Sequence, residues 1–139
     1  MKRCLALAVG LSASAMLAGL ITATPASAAT LLARCNTTGA SGGVTVDNFS
    51  GATDEIKFFM GVDDTLADGH HARIRLITKN AAGKNKYWAW HADYDGAGTS
   101  KEIRSYAHDD SGIFDVGIQV ARFEGSSLLN SCTKWTTAT

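Results

Sequence analysis

The sequence predicts an all-β fold: an antiparallel β-sandwich, or a small barrel, of seven to eight strands, preceded by a cleaved signal peptide. The first observation is a two-residue alternation of side chains in short runs, clearest at Ala72, Ile74 and Leu76. The second is that turn-forming glycine, aspartate and asparagine residues separate these runs. The third is that no stretch beyond the signal carries a sustained helical stripe. Short strands at this spacing are typical of sandwiches and small barrels.

Each predicted strand is a short run with apolar residues on one face or both. The first three, with their apolar faces, are 43–49 (Val44, Val46), 55–62 (Ile56, Phe58, Met60) and 73–79 (Ile74, Leu76). The remaining four are the aromatic run 86–94, the short run 102–107, 113–123 (Phe114, Val116, Ile118, Val120) and the closing run 128–135. Residues 29–32 and 136–139 lie at the ends of the mature chain, where we expect fraying.

The first 28 residues have the three parts of a secretory signal peptide. Lys2 and Arg3 supply the positive charge, an apolar run follows over 5–20, and Ala26-Ser27-Ala28 offers small residues for cleavage. The apolar run is shorter than the roughly 20 residues of a membrane span. Arg34 precedes Cys35, which argues against a lipoprotein anchor. The sequence therefore predicts one secreted, extracellular domain over 29–139.

Charge and hydropathy exclude two classes of partner. Removing Lys2 and Arg3 with the signal leaves 11 cationic against 13 acidic residues, a net charge of −2. A near-neutral chain does not predict nucleic-acid binding. No second apolar run is long enough for a membrane, so none is expected as a partner after cleavage. We expect a monomer.

Two cysteines remain after cleavage, because Cys4 leaves with the signal. In an exported domain, Cys35 and Cys132 are expected to pair with each other. Such a disulfide closes a loop of nearly the whole domain, which the chain-entropy model values at about 4 to 5 kcal/mol. It also requires the first and last strands to lie side by side or face to face.

An acidic run precedes the strand that begins at Arg73. It contains Asp63, Asp64 and Asp68, followed by His70 and His71. Carboxylates suit calcium and imidazoles suit zinc or copper. Adjacent histidines in an extended chain point to opposite faces, however, so only one of them joins a given site. The alternative is a solvated acidic loop, whose aspartates remain candidates for contact with a partner.

The aromatic run over 87–95 is the second candidate site. An unbroken strand places Trp88, Trp90 and Tyr94 on one face, as an exposed stacking platform or as core residues. The opposite face carries His91 and Asp93.

A hairpin through 80–84 sets Arg73 or Arg75 opposite His91, and His71 opposite Asp93 or Asp95. His71, His91 and Asp93 are thus the candidate metal ligands. No motif for a catalytic nucleophile or a zinc protease occurs, so no catalytic residue and no cofactor are predicted.

Four segments carry a resemblance to a known group: Ala67-Asp68-Gly69-His70-His71-Ala72-Arg73-Ile74-Arg75-Leu76, Trp88-Ala89-Trp90-His91, Gly112-Ile113 and Cys132-Thr133-Lys134-Trp135. They are similar to small secreted proteins of high-GC Gram-positive bacteria. This group has no assigned activity, so the resemblance implies export and one compact domain, and it implies no catalytic residues.

Three functions follow as hypotheses. The first is non-catalytic recognition of an extracellular protein or glycan through Trp88, Trp90, Tyr94 and the acidic residues Asp63, Asp64 and Asp68. The second is a metal-binding protein or a small metal-dependent enzyme that uses His71, His91 and Asp93. The third is a secreted inhibitor that presents residues 63–69 to another protein.

Overall fold

The computed structural model describes residues 28–139, and in this range it contains two antiparallel sheets packed face to face and no helix. The predicted all-β sandwich is therefore confirmed. The predicted signal peptide, apart from Ala28, lies outside the described residues. Within them, nothing forms a helix long and apolar enough to cross a bilayer.

In the described part of the chain, ten strands form the two sheets. They are β1 (Ala29–Thr37), β2 (Ala40–Phe49), β3 (Ile56–Asp64), β4 (His71–Lys79), β5 (Asn85–Tyr87), β6 (His91–Asp93), β7 (Ser100–Ala107), β8 (Asp115–Glu124), β9 (Ser127–Trp135) and β10 (Thr137–Ala138). Sheet A has the order β10-β1-β2-β3-β7. Sheet B has the order β5-β4-β8-β9, and β6 pairs with the same edge of β4 as β5 does.

The strand count exceeds the predicted seven to eight at three places. Residues 29–32, expected to fray, belong to β1, whose inward side chains Ala33 and Cys35 are buried against the core. The C-terminal residues form β10 on the free edge of β1, and the Thr139 amide donates to the Thr30 carbonyl over 3.1 Å. The single predicted strand over 86–94 is two short strands, β5 and β6.

The core lies between the sheets and is built from alternate residues of the central strands. Val46, Met60, Ile74 and Ile118 are fully buried in it, one from each of β2, β3, β4 and β8. Burying each such side chain contributes about 1.5 to 3 kcal/mol, which is why the alternation seen in the sequence dictates which face turns inward.

The Cys35–Cys132 disulfide joins the two sheets. Cys35 lies in β1 of sheet A and Cys132 in β9 of sheet B, with their Cα atoms 6.0 Å apart. This confirms the predicted pairing and shows that the first and the last long strands of the domain face each other. The disulfide thus closes the side of the sandwich where β9 leads into β10.

Candidate functional site

The outer face of sheet B carries an apolar layer of its own. Ile77, Ala121 and Phe123 are buried, but they do not belong to the core between the sheets. They occupy the positions of β4 and β8 that alternate with core residues, so their side chains point away from sheet A. Something on the solvent side must therefore cover them.

Cations stacked on aromatic rings form much of this cover. The Arg73 guanidinium lies 4.2 Å from the centre of the Phe123 ring. The Arg75 guanidinium lies 4.3 Å from the ring centres of both Tyr87 and Trp90. Cation–π contacts of this kind contribute about 0.5 to 1 kcal/mol each at exposed sites. We call this surface the cation–aromatic face and define it by six residues: Arg73, Arg75, Tyr87, Trp90, Tyr94 and Phe123.

The two arginines are held by hydrogen bonds to neutral groups. Arg75 donates from Nε and Nη2 to the Gln119 side-chain oxygen, over 2.9 and 2.7 Å. Arg73 donates from Nε to His71 Nε2 over 2.9 Å and from Nη2 to the Gly125 carbonyl over 2.7 Å. Burial lowers the pKa of Arg75, and the neighbouring Tyr87 opposes this shift. Arg75 is therefore fixed in place and partly shielded from water.

No carboxylate of the described residues forms a salt bridge with Arg73 or Arg75. Lys79, four residues beyond Arg75 on the same strand face, provides the contrast. Its Nζ lies 3.2 Å from an Asp115 carboxylate oxygen and 4.3 Å from the centre of the Trp135 ring. The positive charge of the face is thus concentrated on the two arginines.

His71 lies at the end of the face, with its ring centre 4.6 Å from that of Tyr94. Burial lowers the pKa of His71, the Arg73 charge lowers it further, and Asp64 opposes both. Because Arg73 can only donate, His71 Nε2 must accept, which requires the neutral ring with its proton on Nδ1. His71 therefore acts as a neutral support for Arg73.

The sequence predicted that Trp88, Trp90 and Tyr94 share one face of the sheet. The structure contradicts this prediction for Trp88. Trp88 packs against the core, and its Nε1 donates to the hydroxyl of buried Thr78 over 3.0 Å. Trp90 lies on the cation–aromatic face, where its ring meets Phe123 edge-on at 5.3 Å. Tyr94, 70% exposed, lies there too.

One extra residue between β5 and β6 causes the difference. Ile77 pairs with Tyr87 and Ile74 pairs with His91, so β4 advances three residues while its partner advances four. The predicted register, with Arg73 or Arg75 opposite His91, is wrong by one residue. A bulge of one residue turns the following side chains to the other face of a sheet.

The same bulge separates the predicted metal ligands. His91 and Asp93 pair with Ile74 and Ala72, whose side chains face inward, whereas His71 faces outward. Asp93 is 1% exposed and accepts hydrogen bonds from the Asp95 amide and the Thr99 hydroxyl, at 3.1 and 2.9 Å. Among residues 28–139, no three His, Cys, Asp or Glu side chains are grouped so that they could hold a metal ion.

The acidic residues also lie apart from one another. Asp63 faces outward on β3 and accepts from the hydroxyls of Ser41 and Ser100. It lines an open concavity of about 500 Å³ over the outer face of sheet A, opposite the cation–aromatic face. Asp64 is 3% exposed and faces the core.

Asp68 alone lies in the loop before β4, where it contacts Arg122 and His70. Burial tends to raise the pKa of Asp68, but hydrogen bonds from His70 and the charge of Arg122 lower it overall. The aspartates predicted as one contact loop therefore have three different environments.

The fold and its cation–aromatic face define a disulfide-linked, two-sheet antiparallel β-sandwich with a candidate binding surface on one sheet. Beyond this class, no protein family, curated protein or solved structure matches the chain. The resemblance to small secreted bacterial proteins therefore stays a prediction. Sequence reasoning did not include Arg73, Arg75 and Phe123 in a site, although the Arg-x-Arg alternation of the strand was the available signal.

Proposed function

We propose that this protein is a secreted, non-catalytic recognition module that binds an extracellular protein or glycan through the cation–aromatic face. One observation carries the proposal. Arginine, tryptophan and tyrosine, the residue types that dominate binding energy at interfaces, are fixed on the solvent side of a sheet. Rigid side chains lose little conformational entropy when a partner binds, so such a surface is prepared for recognition.

Two features support an extracellular location. Residues 1–28 have the charge, the apolar run and the small residues of a signal peptide. The Cys35–Cys132 disulfide is compatible with an oxidising compartment. The proposal therefore places recognition outside the cell, with the protein acting as a monomer.

Two alternatives have less support. A metal function through His71, His91 and Asp93 requires these side chains on one face, and the bulge before β6 separates them. An inhibitory loop over 63–69 requires a projecting segment. Asp63 and Asp64 belong to β3 instead, and Asp68 is tied to Arg122.

Tyrosine variants offer a direct test of the proposed face. Protein produced from the full-length sequence is labelled and applied to arrays of defined extracellular glycans and proteins. We expect Tyr94→Ala and Tyr87→Ala to weaken binding of the same ligands roughly ten-fold, as loss of an interface aromatic does. Both side chains are more than half exposed, so neither variant should disturb the fold.

Tyr106→Ala is the matched control, because Tyr106 is 65% exposed but lies on β7 of sheet A. It should leave binding unchanged. Ligands that respond equally to all three tyrosine variants, or an array that captures no ligand, would contradict the proposed face.

A further inference from the structure

Arg73 and Arg75 keep donors that the described residues do not use. A guanidinium has five N–H groups, and in each arginine only Nε and Nη2 make hydrogen bonds with other residues in the range 28–139. Nη1 of each arginine therefore has no hydrogen-bond partner among the described residues. The two residues are two apart on one strand, which sets them about 7 Å from each other along β4.

We propose that the ligand of the cation–aromatic face is an acidic glycan, a polysaccharide bearing carboxylate or sulfate groups that Arg73 and Arg75 bind. This inference rests on the proposed function and names the chemical class of its ligand. The oxygens of a carboxylate or a sulfate group accept hydrogen bonds from the N–H groups of a guanidinium, and hydrogen bonds with an ionised partner are about twice as strong as neutral ones. Since no carboxylate of the described residues pairs with either arginine, a ligand acid displaces none.

The fixed positions of the two arginines favour binding of the glycan at a defined site over a diffuse electrostatic attraction. Arg75 is fixed between two rings and by two hydrogen bonds to Gln119, and Arg73 is fixed by Phe123, His71 and Gly125. Side chains that are already ordered give up little entropy on binding. The mature chain as a whole carries a net charge of −2, so an acidic ligand is attracted by this local pair and not by the whole molecule.

A glycan fits the surface better than an acidic protein does. The residues that dominate binding between proteins lie in well-packed, desolvated pockets that a side chain of the partner fills. Here the apolar layer of Ile77, Ala121 and Phe123 is already buried. The Tyr87 and Tyr94 side chains beside the two arginines remain more than half exposed. Such a surface suits a chain of sugar rings, whose C–H faces stack on the tyrosines while acid groups bind the arginines.

Calorimetry with defined polymers tests the inference. The probes are dextran sulfate, carboxymethyl-dextran and uncharged dextran, titrated into the full protein in low salt and in 0.5 M NaCl. We expect the two charged dextrans to bind at least ten-fold more tightly than dextran, with affinity that falls as salt rises. Arg75→Gln and Arg73→Gln should each weaken binding roughly ten- to hundred-fold, the range for losing a hydrogen bond between charged groups.

Two further variants distinguish a specific binding site from a general electrostatic effect on glycan affinity. Arg75→Lys keeps the charge but loses the fork and the ring contacts, so affinity should fall with little change in net charge. Lys101→Gln combined with Arg104→Gln removes two cations from β7 of sheet A and should leave affinity within about two-fold. Thermal unfolding of each variant checks that the fold is retained.

The other outcomes overturn the inference. Equal binding to charged and uncharged dextran would contradict it but would leave recognition by this face intact. Tighter binding to polyglutamate, to a single-stranded oligonucleotide or to anionic vesicles would assign the arginines to another class of ligand. An equal loss from the β7 double variant would show that no specific site exists. If no probe bound and the tyrosine variants also had no effect on the arrays, the proposed function itself would fail.

Discussion

The His71 side chain helps to fix the position of one of the two positive charges on the cation–aromatic face. Its Nε2 accepts a hydrogen bond from Arg73, so the position of that guanidinium depends on a neutral imidazole. Burial and the adjacent positive charge lower the pKa of His71, which keeps the ring neutral where an ordinary histidine would begin to protonate. Metal coordination at Nε2 would require breaking this hydrogen bond.

Acidification should therefore weaken the fold through His71. The unfolded chain takes up a proton near the ordinary pKa of 6.5, and the folded chain does so only at lower pH. Between these values the unfolded state binds more protons, so the free energy of unfolding should fall as the pH drops below about 6.5. Urea unfolding midpoints between pH 8 and pH 5 measure the effect.

The variant His71→Gln should flatten this pH dependence, because glutamine can accept from Arg73 without titrating. His108→Gln is the matched control, since the His108 side chain is 52% exposed and its one salt bridge within residues 28–139 is with the neighbouring Asp110. The pKa values of Asp68 and of Asp109, whose carboxylate bonds to Lys86, are also lowered from 3.8, so these two groups change stability near and below pH 3.8 and not between pH 5 and pH 8. An unchanged slope in His71→Gln would show that His71 is not the group responsible.

At the scale of elements, the central strands were predictable and the bulge between β5 and β6 was not. The alternation of Ile74 and Leu76 fixes the inward face, because a one-residue slip would expose them both. Residues 88–90 are apolar on both faces of an extended chain. Their sequence therefore does not reveal where an extra residue interrupts the pairing with β4. At this point the structure departs from the faces predicted for the candidate metal ligands and for the aromatic run.

The pairing of β8 with β9 depends on a glycine that an aromatic ring covers. Gly117 lies opposite Trp135, and a Cβ added to it would lie 2.8 Å from a Trp135 ring carbon and 2.9 Å from the Lys134 carbonyl. Gly117→Ala should therefore displace Trp135 from Lys79 and lower the free energy of unfolding by about 1 to 3 kcal/mol. Chemical denaturation followed by tryptophan fluorescence reports both effects.

Gly61→Ala is the matched control for this prediction, because a Cβ there would meet nothing within 4 Å. Its backbone is also not in the left-handed region. The substitution should be neutral, or stabilising by about 0.5 to 1 kcal/mol, since alanine loses less conformational freedom on folding. Equal destabilisation by both substitutions would mean that the contact with Trp135 does not decide the effect.

For the whole molecule, the disulfide is the constraint with the widest reach. It spans 97 residues of sequence and joins one sheet to the other. The paired substitution Cys35→Ala with Cys132→Ala should lower the free energy of unfolding by about 4 to 5 kcal/mol, a large part of what a domain of this size possesses. Reduction and alkylation of the unaltered protein should give a similar loss. A change below about 1 kcal/mol would contradict the prediction.

Export, the fold class and the disulfide could all be proposed from the sequence, and the structure confirms the last two. Export was predicted from the composition of the first 28 residues, the fold class from the two-residue alternation of apolar side chains, and the disulfide from the number of cysteines. The cation–aromatic face depends instead on which side chains from three separate segments meet over sheet B. Phe123 is more than 45 positions from Arg75 along the chain, so no local pattern joins them.

Because β10 lies beside β1, the two ends of the domain leave from one edge of sheet A, next to the hydrogen bond between Thr139 and Thr30. A short linker could therefore connect them, and new ends could be opened in the exposed turn 81–83. Such a circular permutant would keep every strand pairing. By the same geometry, a fusion partner attached at Thr139 would leave from the edge of sheet A, and the outer face of sheet B would stay uncovered.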